Sequence, residues 1–182
     1  MDPDKRAGSE QIAIREATVD DLEGLAALLD DIMEMHVAAL PEYFRSMDSH
    51  AEASWMLGEV ADTPKSVLLV AEVDGQVVGL VHFDEREAAD HPTLAPRLYL
   101  KVRTLVVAAT HRNRGIGKAL MARAHDWAEA RGLTEAELNV YEYNHPAIDL
   151  YEGLGYETRM RRMIRKLARP AGSRPGSEGS NA

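Results

Sequence analysis

The residues with the clearest chemical pattern are His111–Met121, HRNRGIGKALM, which follow the apolar run RTLVVAA one residue on. A strand, a turn with two glycines one residue apart and a helical apolar pattern would bring unpaired amides and a helix dipole to one point. Such a junction suits an anion. Arg112 stands three residues before Gly115, and the missing side chains of Gly115 and Gly117 would let a pyrophosphate reach the backbone. Two phosphate-binding designs are excluded. A P-loop needs a glycine five residues before its GK pair and a hydroxyl after the lysine, where this chain has Arg112 and Ala119. A dinucleotide fingerprint needs a third glycine where this chain has Leu120. An ordinary glycine-capped turn is the remaining alternative.

Composition narrows the chemistry further. With no cysteine, the chain has no disulfide, thiolate nucleophile or cysteine-based zinc site, and no metal is expected. Thirty acidic against 21 basic residues give a formal net charge of -9. That balance weighs against a nucleic-acid partner and fits either plain solubility or attraction of a cationic substrate. The first ten residues are charged where a secretory leader needs an apolar run, and no stretch approaches the roughly 20 apolar residues that span a bilayer. A cytoplasmic protein with no membrane partner is therefore expected.

The elements that must position the glycine turn follow from periodicity. QIAIRE reads as a first strand, Thr18 as a helix N-cap with Asp20 and Asp21 in the first turn, and Leu22, Leu25, Leu28, Leu29 and Ile32 as one helical face running to about Met35. Pro41 breaks the pattern, and a second helix is expected at Ala51 to Val60. SVLLVAEV and VVGLVHF flank Asp74 and Gly75, a hairpin signal. Leu98 to Val107 is a further strand, followed by a helix from Gly115 to Arg131. A strand at Ala136 to Tyr141, a helix opened by Pro146 and closed by Gly155, and a last strand near Thr158 to Leu167 complete the order. This predicts a mixed α/β domain over residues 11–167, with a flexible N-terminus at 1–10 and a disordered tail at 168–182.

At this point the sequence resembles the GCN5-related N-acetyltransferases. RNRGIG matches the family's arginine or glutamine, two residues, glycine, one residue, glycine or alanine, which bind the pyrophosphate of acetyl coenzyme A. ELNVYEYNHPAIDLYEGLGYE is similar to its later block. Together the blocks span about Leu98 to Arg162, and the earlier half shares element order only. The resemblance implies a mostly antiparallel mixed sheet with a central bulged strand, flanked by about four helices. It also implies acetyl coenzyme A as co-substrate, held by Arg112, Asn113, Arg114, Gly115, Ile116, Gly117 and Lys118, with Asn144 and Ala147 from the later block. The bulge would fall at Leu105, Val106 and Val107, whose backbone groups would bind the pantetheine arm and meet the oxyanion. Tyr151 matches the tyrosine that protonates the departing thiolate.

The general base is less legible. Arg103 and Thr104 stand where many members carry a glutamate, and Asn139 stands at the other usual position. Glu137, one pleat earlier, is the nearest carboxylate on that face and could act through water; His82 has a suitable ordinary pKa but no positional match. The acceptor is expected to be a cationic small-molecule or peptide amine, attracted by Glu34, Glu42, Asp84, Glu85 and Glu87, with Tyr43 and Phe44 as a pocket wall. A homodimer is common in the family. Because both glutamates are missing, a coenzyme A binding or sensing module without turnover is the alternative.

Overall fold

The computed structural model describes residues 11–88, 92–93 and 95–167; the expected flexible termini, 1–10 and 168–182, lie outside the described residues. The elements are β1 (Ala13–Glu16), α1 (Leu22–Ala39), α2 (Ser49–Asp62), β2 (Ser66–Val73), β3 (Gln76–Glu87), β4 (Leu98–Val107), α3 (Ile116–Glu129), β5 (Ala136–Glu137) and α4 (His145–Gly153). The strands form one open sheet in the order β1-β2-β3-β4-β5, antiparallel throughout except for the parallel β4/β5 pair. The expected mixed, mostly antiparallel sheet with four helices is thus present.

Local chemistry explains the boundaries. Asp74 and Gly75 both adopt positive φ (50° and 78°), the geometry that turns β2 tightly into β3. The α1 start differs from a simple Thr18 cap, because Thr18 precedes a 3-10 turn at Val19–Asp21. Asp21 is buried there and accepts from Arg15 Nη1 and Nη2 at 2.7 and 2.8 Å. That bidentate bond holds its carboxyl below the usual range despite burial. α2 begins earlier than expected because Asp48 Oδ1 accepts from Ala51 N at 3.0 Å.

Alternation along the strands makes two cores. Val81, Phe83, Leu100 and Val102 face Ile116, Leu120, Met121 and Ala124 of α3 on one side. Leu68, Val70, Leu80 and Val106 face Leu25, Leu28, Leu29 and Met56 of α1 and α2 on the other. Val102 and Val106, four residues apart, would share a face in a regular strand. They do not, because β4 is bulged between them: His82 pairs with Thr104 and Phe83 with Val102, leaving Arg103 extra. This corrects the expected placement of the bulge, since Leu105, Val106 and Val107 pair regularly with Val81, Leu80 and Gly79.

Two expected strands are also corrected. The Ala136–Tyr141 strand forms a ladder only at Ala136 and Glu137, opposite Leu100 and Lys101, and the chain then leaves β4. Residues 158–167 take no regular structure, because a strand needs a ladder and the edge nearest in sheet order, β5, has only two paired residues.

Candidate active site

The parting of β4 and β5 is the central geometric feature of the site. β4 continues to Val107 with only β3 beside it, so the backbone of Leu105–Val107 has an unpaired side facing a gap. The glycine turn sits at the end of that gap. Arg112 Nε donates to the Val107 carbonyl at 3.1 Å, tying the turn to the strand end. Asn113 and Gly115 take positive φ (61° and 82°), which reverses the chain into α3. Gly115 O accepts from Ala119 N at 2.9 Å; the amides of Ile116, Gly117 and Lys118 in the first turn have no intrahelical acceptor. Ile116 itself is fixed by its buried side chain. A Cβ on Gly117 would lie 3.3 Å from Leu150 Cδ2 and 3.7 Å from Val107 Cγ2, so this glycine marks where α3, α4 and β4 converge.

The later block supplies the facing wall. Asn144 Oδ1 and Asn144 O both accept from Ala147 N, at 3.4 and 3.1 Å, and Pro146 opens α4. Tyr151 packs against the α3 core with its ring 5.8 Å from that of Tyr156. Burial pushes its phenol up to about 12, so it is a neutral donor at every ordinary pH. The Tyr156 hydroxyl is paired with His125 Nε2 at 2.9 Å.

The bulge gathers a polar cluster on the α1/α2 side of the sheet. Arg103 is ion-paired to Glu59 of α2, lies 3.9 Å from Asp84 Oδ2 and sits over the Trp55 ring at 5.2 Å. His82, fully buried, hydrogen-bonds Ser66 Oγ at 2.9 Å, with Glu59 Oε2 4.0 Å away. Desolvation, reinforced by the Arg103 charge, pushes its imidazole down to about 4, so His82 is neutral. Glu59 Oε2 and Asp84 Oδ1 are buried without a hydrogen-bond partner. Glu59 is unmarked in the sequence, since an acid on a helix looks like a solvated charge until the strand opposite is known. Its only signal is the arginine at the bulge, a cation that needs a partner.

Other nominated residues are placed differently. Glu137 accepts from Lys101 Nζ at 3.0 Å and Arg97 Nη2 at 3.1 Å, and the Lys101 bond above all holds its carboxyl below the usual range. Asn139 lies past the last ladder residue of β5. Asp84, Glu85 and Glu87 belong to β3; Asp84 is buried against Arg86 and Glu85 pairs with Lys65. Glu42 pairs with Lys166 at 2.8 Å. Phe44 stacks on His36 at 4.7 Å, and Tyr141 and Tyr143 complete an aromatic group, with the Tyr143 hydroxyl hydrogen-bonded to His36 Nδ1. Tyr43 is exposed. A cavity of about 350 Å³ lies between α1 and the following loop, lined by Asp30, Met33, Glu34, Val37, Ser46 and Met47. Among the described residues no group of His, Asp or Glu is arranged to hold a metal, and no helix is long and apolar enough to cross a membrane.

A mixed sheet whose β4 and β5 part, with the first turn of α3 and its unpaired amides at the parting, defines the class of this α/β protein. A sequence model of the Acetyltransferase (GNAT) family matches residues 28–156, and the chain belongs to that family. An uncharacterized N-acetyltransferase of Methanocaldococcus jannaschii is 30% identical over 149 residues, covering 79% of this chain and 60% of the relative. N-acetyltransferase family 8 member 2 of Rattus norvegicus is 34% identical over 114 residues, 58% of this chain and 47% of the relative. The chain thus spans about half the length of these curated relatives. A mutant of the BH1408 protein from Bacillus halodurans superposes with a TM-score of 0.80 at 27% identity, covering 86% of this chain and 99% of that one. The aminoglycoside acetyltransferase AAC(6')-Iy, solved with the bisubstrate analogue CoA-S-monomethyl-acetylneamine, shares the fold at a TM-score of 0.64 and 19% identity over 87% of this chain and 99% of that one.

Proposed function

We propose that the protein moves the acetyl group of acetyl coenzyme A to a primary amine of a cationic small molecule or peptide, by direct attack on the thioester. The observation that carries this reading is the gap between β4 and β5 ending at the amides of α3. In it, the pyrophosphate lies on the Arg112–Lys118 turn, and the pantetheine amides pair with the unpaired backbone of Leu105–Val107. Asn144 and Ala147 border the arm on the α4 side. The amine nitrogen forms the new bond to the carbonyl carbon, and a β4 amide stabilises the oxyanion, a contact worth roughly 3 kcal/mol when preorganised. The carbon–sulfur bond then breaks, and the Tyr151 hydroxyl donates to the departing thiolate.

The attacking nitrogen must also lose a proton. Glu137, held low by Lys101 and Arg97, is a weak base. Glu59, placed at the bulge by Arg103 and retaining an unpartnered oxygen, is the acceptor in this reading, with water as the relay. Asn139 would orient that water. The cavity beside Asp30 and Glu34 suits the cationic remainder of the acceptor.

The test is thiol release from acetyl coenzyme A across a panel of polyamines, an aminoglycoside and peptides with free N-termini, with calorimetry of coenzyme A alongside. Release above the no-amine blank with at least one amine is expected. Coenzyme A binding without release across the panel would instead identify a binding or sensing module.

A further inference from the structure

Tyr151 stands on a helix end of defined geometry. Gly155 closes α4 at φ 87°; Tyr156 N donates to the Tyr151 carbonyl at 3.0 Å and Gly155 N to that of Glu152 at 3.0 Å. Such a glycine-ended cap folds the residue after the glycine back over the third residue from the helix end. Those residues are Tyr156 and Tyr151, whose rings lie 5.8 Å apart and tilted by 60°.

An apolar residue at 156 would satisfy the cap. Tyrosine adds a hydroxyl that is costly to bury unpaired, and that hydroxyl reaches α3. It hydrogen-bonds His125 Nε2 at 2.9 Å, with the two rings 5.7 Å apart. Burial, and the neighbouring Tyr151, push the Tyr156 phenol up, so the hydroxyl is neutral at every ordinary pH. His125 follows Gly117 on the same helix, roughly 12 Å along its axis. One rigid element thus carries the amides assigned to the pyrophosphate and, about two turns later, the imidazole that holds Tyr156 against Tyr151.

We propose that His125 and Tyr156 are positioning residues for the acid: their hydrogen bond fixes the Tyr151 ring relative to α3, and so sets the Tyr151 hydroxyl relative to the sulfur of a cofactor held by that helix. The inference rests on the acetyl-transfer reading. Ring packing holds Tyr151 in the core, and the His125 bond supplies the polar reference to α3. Neither residue exchanges a proton with the sulfur. A shift of about 1 Å at a reacting group can cost up to ~10²-fold, and a ring still packed in the core should lose less than that.

Tyr156→Phe removes the hydroxyl and keeps the ring, His125→Leu removes the imidazole, and His125→Gln retains a polar partner. Circular dichroism should be unchanged, and coenzyme A affinity by calorimetry should stay within about threefold in all three. With isotope-labelled tyrosine in the coenzyme A complex, the Tyr151 resonance, assigned by its loss in Tyr151→Phe, should move or broaden in His125→Leu and return in His125→Gln. With the amine that releases thiol in the panel, kcat should fall by about 5- to 10-fold in Tyr156→Phe and His125→Leu and stay within about twofold in His125→Gln. Neither loss should add to that of Tyr151→Phe, since both act through that hydroxyl. Both should vanish with an acyl donor whose leaving group needs no proton. Should His125→Leu fail to fold, Tyr156→Phe, which deletes one oxygen, carries the same test. An unmoved Tyr151 resonance in folded His125→Leu, wild-type turnover in Tyr156→Phe, or a loss repeated in full on the Tyr151→Phe background would overturn the positioning role and leave acetyl transfer standing. Thiol release with no amine, or Tyr151→Phe as active as wild type, would instead remove the reading beneath the inference, and the inference with it.

Discussion

Removing the Tyr151 hydroxyl tests the acid step with little else disturbed. Tyr151→Phe keeps the ring that packs against the α3 core and Tyr156. The hydroxyl makes no hydrogen bond among the described residues, so stability should change by less than about 1 kcal/mol. The phenol sits at about 12, whereas an ordinary thiol lies near 8.5. Complete transfer to a relaxed thiolate would therefore be uphill by roughly 5 kcal/mol, at about 1.36 kcal/mol per pKa unit. In the proposed reaction Tyr151 would act instead by hydrogen-bonding the sulfur while charge builds on it, a charge-assisted contact of about 1.5–3 kcal/mol. The expected fall in kcat is about 10²-fold, at the lower end of what a positioned acid contributes. Coenzyme A affinity should stay within about threefold, and the loss should shrink with an acyl donor whose leaving group needs no proton. Steady-state kinetics with the amine found in the panel, beside calorimetry, separates these quantities. Turnover within threefold of wild type would mean that the tyrosine only packs and that water protonates the sulfur.

Gly117→Glu should abolish coenzyme A binding by calorimetry while circular dichroism is retained, because it sets bulk and a like charge where the diphosphate belongs; retained affinity would remove the turn from the cofactor site. Glu59→Gln should lower kcat/KM by ~10²-fold or more near neutral pH, with the loss shrinking as pH rises and more amine arrives neutral; an unchanged rate would exclude Glu59 as proton acceptor. His82 stays neutral down to about pH 4 when folded but has an ordinary value of 6.5, so between these limits the unfolded state binds more protons and stability falls as pH falls. The drop should approach roughly 3 kcal/mol by pH 4 in urea titrations, and it should flatten in His82→Gln. A β-carbon on Gly24 would stand 2.7 Å from Val77 Cβ, whereas one on Gly58 meets nothing within 4 Å. Gly24→Ala should therefore destabilise by about 1–3 kcal/mol, and Gly58→Ala should stabilise by up to about 1 kcal/mol, both read from denaturant midpoints.

What was legible in the sequence was whatever leaves a mark in side-chain type. Leu25, Leu28 and Leu29 announce the buried face of α1, Asp74–Gly75 announces the hairpin, and Arg112 to Gly117 announces the turn into α3, because periodicity and positive φ constrain residue choice directly. The bulge falls at Arg103, a few residues before Leu105–Val107, and leaves no mark in residue type because it consists of backbone pairing; only the switch of Val102 and Val106 between two cores reveals it. The strand at 136–141 was overextended because alternation describes a strand's faces and says nothing about whether a neighbour is present to pair. Glu59 was invisible for a related reason. Its partner, Arg103, is 44 residues away, and only the packing of α2 on the sheet joins them.

The sheet that separates the two cores also separates two problems of adaptation. Leu80 and Val81 are neighbours in sequence, yet one faces α1 and α2 and the other faces α3. Substitutions under α1 and α2 should combine additively with substitutions around Leu120 and the glycine turn, since the two sets belong to separate core clusters. A descendant of this chain could exchange its whole first helical layer for another and leave the core under α3 and the glycine turn intact. The shared motifs lie between Leu98 and Arg162, the half that such an exchange would leave untouched.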